Sequence, residues 1–178
     1  MKKAAALCCG LLWLGCASPE ARRPLNAPKD TFLKNSANRN KMRFAQEQKQ
    51  FKIVADNTPE LEFTVSEKGF WYALLEEKAT ATSSPKVGDQ VTVNYQIESL
   101  NGSLIYDEAT LGEVEFLVDK EDVIPALREG VKVLKPGQKG LFLFPSFMCF
   151  GVQGDFEKIG SRQSLRFIIT LVAIKSEK

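Results

Sequence analysis

The sequence predicts an α+β domain in which short antiparallel strands surround one short helix, preceded by an N-terminal extension. Alternating apolar and polar residues, typical of strands with one buried face, recur between residues 61 and 174 and are separated by turn signals. One segment inside this region, residues 122–133, instead has apolar residues at helical spacing. A chain of 178 residues suits one such domain with extensions.

The N-terminus has the organisation of a secretory signal peptide. Lys2 and Lys3 supply a positive start, residues 4–14 form an apolar run, and small residues follow. Leu-Gly-Cys at 14–16 resembles the end of a bacterial lipobox, in which the cysteine is acylated and becomes the new N-terminus. We therefore expect a lipoprotein signal peptide over residues 1–15 and lipidation at Cys16. Cleavage after Ala17 without lipidation is the alternative.

This N-terminus predicts the location and the redox chemistry of the mature chain. A lipid-anchored protein without Asp after the cysteine is expected in the bacterial cell envelope, on the outer membrane facing the periplasm. Cys8 and Cys9 leave with the signal peptide, so Cys149 is the remaining thiol and no intramolecular disulfide is expected. The chain contains no histidine to activate that thiol, so we interpret Cys149 as a small packing residue.

Residues 16–52 are interpreted as a basic tether. Residues 18–52 hold nine Lys or Arg against three acids, whereas the chain from residue 53 onward holds 13 basic and 19 acidic residues. Two interpretations are open: a solvated, partly disordered linker, or a segment attracted to an anionic membrane surface. Nucleic acid is not an expected partner because no aromatic residues alternate with the basic ones. Across the end of the tether, Phe44, Phe51 and Val54 indicate a helix over residues 38–54.

The strands follow in order. Residues 53–85 are predicted to form a β-hairpin extension, with alternation at 62–65, a turn at Gly69 and a second strand at 70–75. The domain proper is expected over residues 86–178. It begins with a period-2 strand at 91–97, an Asn101-Gly102 hairpin turn and a returning strand at 104–106.

The second half of the domain contains the predicted helix. After a short strand at 114–118, residues 122–133 place Ile124, Leu127 and Val131 on one helix face, with Asp122 as the expected N-cap. Strands at 138–144 and 165–174 complete the domain. The loop between them, residues 145–164, is long for a compact domain, and such loops normally have a function.

The order and spacing of these motifs are similar to those of the FKBP-type peptidyl-prolyl cis-trans isomerases, over about residues 86–175. The shared motifs are Val87-Gly88-Asp89, Val93-x-Tyr95, Asn101-Gly102, Tyr106-Asp107, Val123-Ile124, Glu129-Gly130, Pro136-Gly137-Gln138, Phe150-Gly151-x-x-Gly154 and Leu165-x-Phe167. The tethered layout looks most like the gliding-motility-associated lipoprotein branch. The resemblance implies a twisted antiparallel β-sheet curled around one short α-helix, and catalysis of prolyl bond rotation.

That reaction needs no acid, base or nucleophile. Rotation about a peptide bond crosses a barrier of about 18–20 kcal/mol, because the planar amide is stabilised by charge-separating resonance. A twisted amide is less charge-separated, so an apolar, water-poor pocket favours it relative to the planar ground state. A chain without histidine can therefore be this enzyme, and no metal and no cofactor are expected.

The resemblance also implies the site residues. It assigns catalysis to Tyr95, Asp107, Ile124, Phe150 and Phe167, and substrate binding to Tyr106, Val114, Val123, Leu127, Phe147 and Ile159. The backbone N–H of Ile124 would bind a substrate carbonyl, and the Asp107 carboxylate would lie beside the twisting carbonyl. Considered without the family, core packing is the preferred explanation of the apolar residues, and a surface turn is the alternative role of Asp107.

Four positions depart from the family pattern. Leu127 replaces the usual Trp of the pocket floor, Val114 replaces a wall Phe, Phe150 replaces a Tyr and so lacks its hydroxyl, and Asp155 replaces another residue of the loop. We therefore expect a membrane-anchored prolyl isomerase of weak activity that assists folding of exported, proline-containing polypeptides. The alternative is a catalytically degenerate binding module for an envelope or motility complex.

Overall fold

The computed structural model of the protein describes residues 29–76 and 79–175. The expected signal peptide, the lipidation site Cys16 and the first part of the basic tether lie outside the described residues.

The first described element is a long helix, α1 (Lys29–Asp56), which contains neither Gly nor Pro. It includes the helix predicted over residues 38–54 and begins earlier, where the sequence favours a linker. The first part of α1 belongs to a separate unit, residues 1–37, and residues 38–178 form one compact unit. None of the helices in the described ranges is both long and apolar enough to cross a membrane.

Seven strands within the described residues form one antiparallel sheet. Their bounds are β1 (Thr64–Val65), β2 (Trp71–Glu76), β3 (Gln90–Ser99), β4 (Leu104–Tyr106), β5 (Val114–Leu117), β6 (Lys139–Phe144) and β7 (Leu165–Lys175). The order across the sheet is β1-β2-β6-β7-β3. The far edge of β3 is shared by two strands, because its first half pairs with β5 and its second half with β4.

Two shorter helices lie among the strands: α2 (Glu108–Leu111) and α3 (Pro125–Gly130), the latter continued by a 3₁₀ turn at Val131–Val133. The predicted N-cap Asp122 is wrong, since Ile124 occupies that position and Pro125 opens the helix. Proline suits the first helical position because its fixed φ is already helical and its missing N–H would have no partner there. The sequence did not predict α2, which is a single turn.

The inner face of the sheet surrounds α3. Val91, Phe142 and Phe167 are fully buried on that face, together with Leu127 and Val131 of the helical segment. Side chains two residues apart along a strand point to the same face, so the predicted alternation is the pattern that fills this core. The helix therefore sits within the curved sheet as expected.

The outer face of the sheet has its own apolar cluster, formed by Phe51 of α1 with Leu141 and Leu143 of β6. All three side chains are at most 1% exposed. Strand β6 is thus buried on both faces, which explains why it is continuously apolar instead of alternating. The C-terminal part of α1 is held there.

The predicted hairpin over residues 53–85 is part of the sheet, since β2 pairs with β6 over Trp71↔Leu143 to Leu74↔Gly140. Its turn contains Gly69 at φ +87°, a conformation that residues with a Cβ rarely adopt. A Cβ on Gly69 would also lie 2.6 Å from the Phe44 ring of α1. Gln48 strengthens this junction, because it donates to the Gly69 carbonyl and accepts from the Trp71 indole, both at 2.7 Å.

Candidate active site

Nine of the eleven residues expected to form the site pack in one apolar cluster at the open side of the inner core. We call it the pocket cluster. Three of its members are at most 3% exposed and form the floor: Leu127, Ile159 and Phe167. Six are half-buried and form the rim: Tyr95, Tyr106, Val114, Val123, Ile124 and Phe150. The cluster thus combines a buried apolar floor with half-exposed apolar residues, a surface on which a small apolar group can pack.

Strand register brings the aromatic members together. Tyr106 of β4 pairs with Ile97 of β3, and Ile97 pairs with Phe167 of β7, so the three lie in one row across the sheet. Tyr95 lies two residues before Ile97 and therefore on the same face. The rings of Tyr95 and Phe167 are parallel within 8° with centroids 6.1 Å apart. Phe144 meets Phe167 edge-on at 5.5 Å, which fixes this aromatic wall.

An unpaired backbone donor, the N–H of Ile124, lies at the rim. Within the part of the chain that the structure describes, this N–H has no hydrogen-bond acceptor, whereas the Ile124 carbonyl accepts from Leu127 and Arg128 at 3.0 and 3.2 Å. The reason is its position as N-cap of α3, since N–H groups at a helix start have no partner inside the helix. The arrangement offers a polar anchor beside an apolar floor.

The Tyr95 hydroxyl is a second polar group of the pocket cluster. Burial raises the pKa of Tyr95 above its ordinary value of 10.0, so the hydroxyl keeps its proton at neutral pH. It can therefore donate a hydrogen bond to a bound carbonyl.

Asp107 lies outside the pocket cluster, on the surface. Its side chain caps α2 by accepting the backbone N–H of Thr110 at 2.7 Å. Hydrogen bonds from the side chain and the backbone of Thr110 lower the pKa of Asp107, so the carboxylate is ionised at neutral pH. The geometry thus supplies a structural role for a residue that the family resemblance assigns to catalysis.

Phe147 also lies outside the pocket cluster. Its side chain is 60% exposed, and its ring packs 6.2 Å from the ring of Phe44 in α1. Phe150, on the same loop, contributes to the rim. The loop over residues 145–164 therefore has two sides, one against the pocket cluster and one against α1.

Asp155 organises this loop, a role that sequence reasoning missed. Its Oδ2 accepts from the Tyr106 hydroxyl at 2.5 Å, and its Oδ1 accepts the backbone N–H groups of Glu157, Lys158 and Ile159 at 2.7–3.0 Å. The Lys158 ammonium lies 4.6 Å from the centre of the Tyr106 ring. An Asp that follows Gly is a known turn former, which is a local signal, but its contact with Tyr106 spans 49 residues.

These contacts shift the pKa values of both Tyr106 and Asp155. The hydrogen bond to Asp155 raises the pKa of Tyr106 to about 12. Partial burial raises the pKa of Asp155, but the hydrogen bonds from Tyr106 and the three backbone N–H groups outweigh it and lower the pKa to about 2. At neutral pH the pair is therefore a neutral phenol donating to a carboxylate, and it holds Ile159 in the floor.

Cys149 contributes no reactive group. Its side chain is 6% exposed, and burial raises the pKa of the thiol, so the thiolate is disfavoured. Within the described ranges, no three Cys, Asp or Glu side chains come together as potential metal ligands.

Comparisons with known proteins agree with this geometry. A family model described as FKBP-type peptidyl-prolyl cis-trans isomerase matches residues 81–172. The probable FKBP-type peptidyl-prolyl cis-trans isomerase FkpA of Neisseria meningitidis is 37% identical over 92 residues, 51% of this chain and 33% of that protein. The peptidyl-prolyl cis-trans isomerase Mip of Coxiella burnetii is 28% identical over 109 residues, 61% of this chain and 46% of that protein. The chain thus matches less than half of the length of either relative.

A solved structure shows the same fold. The crystal structure of FkpA from Escherichia coli matches with a TM-score of 0.60 and 26% identity, over 83% of this chain and 68% of that one. The predicted fold class, an antiparallel sheet around a short helix with an N-terminal extension, is confirmed. Because the family model covers just over half of the residues and the pocket cluster lies within the matched region, the chain belongs to the FKBP-type peptidyl-prolyl cis-trans isomerase family.

Proposed function

We propose that this protein is a membrane-anchored peptidyl-prolyl isomerase that assists the folding of exported proteins in the bacterial cell envelope. One observation carries the enzymatic part of the proposal: the unpaired N–H of Ile124 at the rim of a buried apolar floor. This combination suits an X-Pro segment, which has an apolar ring and a neighbouring carbonyl but lacks an N–H at proline.

The residues act by selecting the twisted amide. The proline ring rests on Leu127 and Phe167, and the Ile124 N–H binds a substrate carbonyl, so one side of the prolyl bond is held while the other rotates. The Tyr95 hydroxyl donates to the carbonyl as it turns. Removal of water disfavours the charge-separated planar amide, and the twisted transition state loses less by this transfer. Uncatalysed rotation takes tens to hundreds of seconds, which is long enough to limit folding.

The activity is expected to be weak. Phe150 is at the rim, where a tyrosine hydroxyl would supply one further hydrogen bond to substrate. Such a bond contributes about 0.5–1.5 kcal/mol, which is up to about tenfold in rate. Leu127 gives an aliphatic floor in place of the broader indole of the family.

The location follows from the N-terminus. The lipobox-like sequence supports acylation of Cys16. Residues 16–37, which precede the compact unit, would form the tether, and their basic residues favour anionic lipid. A peptide-linked lipid with several acyl chains anchors stably, whereas a single chain is marginal. Mass spectrometry of the mature N-terminus tests this assignment, and release of a Cys16→Ala variant from the membrane fraction is the expected result.

A second candidate is a catalytically degenerate binding module for an envelope or motility complex, as the layout of the gliding-motility-associated branch suggests. Three departures from the family pattern within the pocket cluster favour the binding module: Phe150, Leu127 and Val114. Under this proposal the apolar pocket holds a partner segment without accelerating rotation.

A protease-free isomerisation assay with Phe or Leu before proline separates the two. We expect the chain from residue 17 onward to accelerate rotation, and Ile124→Pro to reduce kcat/KM by up to about tenfold, because proline removes the N–H. Proline is compatible with the backbone there, since Ile124 has φ −54° and ψ 136°. Ile124→Val, which keeps the N–H, is the matched control and should stay near wild type. A folded chain without any acceleration would leave the binding module as the function.

A further inference from the structure

A cavity of about 450 Å³ lies between α1 and the loop over residues 145–164. None of the pocket-cluster residues lines it. We call it the basic groove and define it by six side chains: Lys41, Arg43 and Phe44 of α1, and Phe147, Val152 and Arg162 of the loop. None of these six side chains belongs to the pocket cluster, and Phe147, which the family resemblance assigned to substrate binding, packs on Phe44 instead.

The three cations of the basic groove are not neutralised. Lys41, Arg43 and Arg162 form no ion pair and no side-chain hydrogen bond within the described residues. The groove's described lining includes one carboxylate, Glu47, which is 6% exposed and accepts the backbone N–H of Ser146 at 3.2 Å. The exposed charge of the groove is therefore positive.

Apolar surface accompanies these charges. Phe147 is 60% exposed and Val152 is 62% exposed. Phe147 packs on Phe44, which holds its ring at the groove. A single exposed apolar residue is common on protein surfaces. Two of them beside three unpaired cations in a concave site form a surface for a ligand that is both apolar and negatively charged.

The backbone of Arg162 is held in an uncommon conformation. Its φ is +56°, in the left-handed region, and its N–H donates to the Gly151 carbonyl at 2.7 Å. A residue with a Cβ rarely adopts such a φ, and the hydrogen bond to Gly151 helps to hold the backbone there. This bond joins the end of the loop to the segment that carries Phe150.

The basic groove and the isomerase pocket share this loop segment as a wall. Phe150 belongs to the pocket cluster, whereas its neighbour Gly151 lines the basic groove. The Gly151 N–H donates to the Ser146 carbonyl at 3.0 Å, which keeps the wall in one tight turn. A polypeptide with its proline in the pocket would reach the groove by crossing this shared loop segment.

We infer that the basic groove binds a segment of the client polypeptide that contains acidic and apolar residues and flanks the isomerised proline. The identification of the occupant as a client rests on the proposed function. Charge complementarity favours this occupant: the groove presents three unpaired cations beside exposed apolar side chains, whereas the chain from residue 53 onward carries six more acidic than basic residues.

Titration calorimetry with the full chain tests the inference. The probes are two proline-free peptides with the same Phe and Leu residues, one with Glu and one with Lys at the charged positions. We expect binding of the Glu peptide only, with an affinity that falls as salt is added. Replacing Arg43→Gln and Arg162→Gln together should weaken binding about tenfold, which two partly exposed charge pairs can supply.

Lys49→Gln is the matched control, because Lys49 is exposed on the same helix and does not line the groove. It removes one positive charge and should leave the affinity nearly unchanged. The double variant should also isomerise a short neutral prolyl peptide at the wild-type rate, since it leaves the pocket cluster intact.

Three results would overturn the inference: equal affinity for both peptides, unchanged affinity in the double variant, or binding to phosphatidylglycerol vesicles without binding to the Glu peptide. Because the probes lack proline, the groove and the isomerase are tested separately. If the chain accelerates prolyl rotation but does not bind the Glu peptide, only the inference about the groove is wrong. If it binds the Glu peptide but has no isomerase activity, the groove binds such segments and the proposed enzymatic function is wrong.

Discussion

The hydroxyl of Tyr106 donates a 2.5 Å hydrogen bond to Oδ2 of Asp155, and this bond ties strand β4 to the loop that closes the pocket. The other oxygen of Asp155 holds three successive N–H groups of the same loop. One carboxylate thus fixes both the internal shape of the loop and its attachment to the sheet. Ile159 is placed in the pocket floor as a result.

Stability should depend on pH through this pair. The pKa of Asp155 falls from 3.8 to about 2 on folding, so its contribution is present above about pH 4 and is lost as pH falls toward 2. The pKa of Tyr106 rises from 10.0 to about 12, so its contribution is present below pH 10 and is lost as pH rises toward 12. The free energy of unfolding, measured with urea, should therefore differ most between wild type and Tyr106→Phe at pH values between about 4 and 10.

Phenolate absorbance provides the control for this prediction. In Asp155→Asn the pKa of Tyr106 should move from about 12 toward 10.0, because the carboxylate that opposes phenolate formation is gone. Asp56→Asn, a change at the end of α1, should leave the tyrosine titration unaltered. A titration that Asp155→Asn does not change would show that the hydrogen bond is absent in solution.

Replacements of Asp107 should separate capping from catalysis. Ser can cap a helix as Asp does, whereas Ala cannot. If Asp107 acts by capping α2, Asp107→Ser keeps prolyl isomerase activity and Asp107→Ala lowers it together with the order of the segment after β4. We expect this pattern because the carboxylate accepts the Thr110 N–H. Equal loss of kcat/KM in both variants, with unchanged amide exchange in α2, would instead assign the charge to the reaction.

Phe150→Tyr should raise isomerase activity. The new hydroxyl lies at the rim of the pocket cluster, where one hydrogen bond to a bound carbonyl increases kcat/KM by up to about tenfold. Phe147→Tyr adds the same hydroxyl on the same loop but outside the pocket cluster, and it should have little effect. Comparable gains from both variants would mean that the rate does not depend on the position of the hydroxyl.

The packing of α1 on the outer face of the sheet should contribute to stability mainly through Phe51. Phe51 is fully buried against Leu141 and Leu143, so Phe51→Ala should lower the free energy of unfolding by about 3–5 kcal/mol. Ile53 lies on the same helix but is 59% exposed, and Ile53→Ala should change it by less than about 0.5 kcal/mol. Denaturant unfolding of the two variants measures the difference. A small effect of Phe51→Ala would indicate that α1 is not packed on the sheet in solution.

The regular elements were predictable because their signals are local. The Asn101-Gly102 turn located β4 at Leu104–Tyr106, and runs of apolar residues between turn signals placed the other strands within a residue or two of their bounds. The start of α3 was missed because Asp122 is a good cap by composition, whereas Pro125 decides where the helix begins. A single turn such as α2 is too short for periodicity to reveal. The first part of α1 has mostly exposed side chains, so no buried apolar stripe marks it in the sequence.

The site was predictable in part for the same reason. The order of the motifs identified the pocket cluster, because its residues come from strands and from the start of α3, which the motifs mark in the sequence. The Tyr106–Asp155 bond and the basic groove were not predictable, since each joins segments that are distant along the chain. Phe147 illustrates the limit: its sequence neighbourhood resembles the family's loop, but its ring packs on a helix from outside the matched region.

The two-sided burial of β6 has a consequence for how the chain can be shortened. A fragment trimmed to the family match, residues 81–172, would lack both β2 and Phe51. One edge of β6 would then offer free backbone groups, and Leu141 and Leu143 would face water, a combination that promotes self-association. The segment that matches the family model is thus shorter than the segment whose residues pack together in the fold.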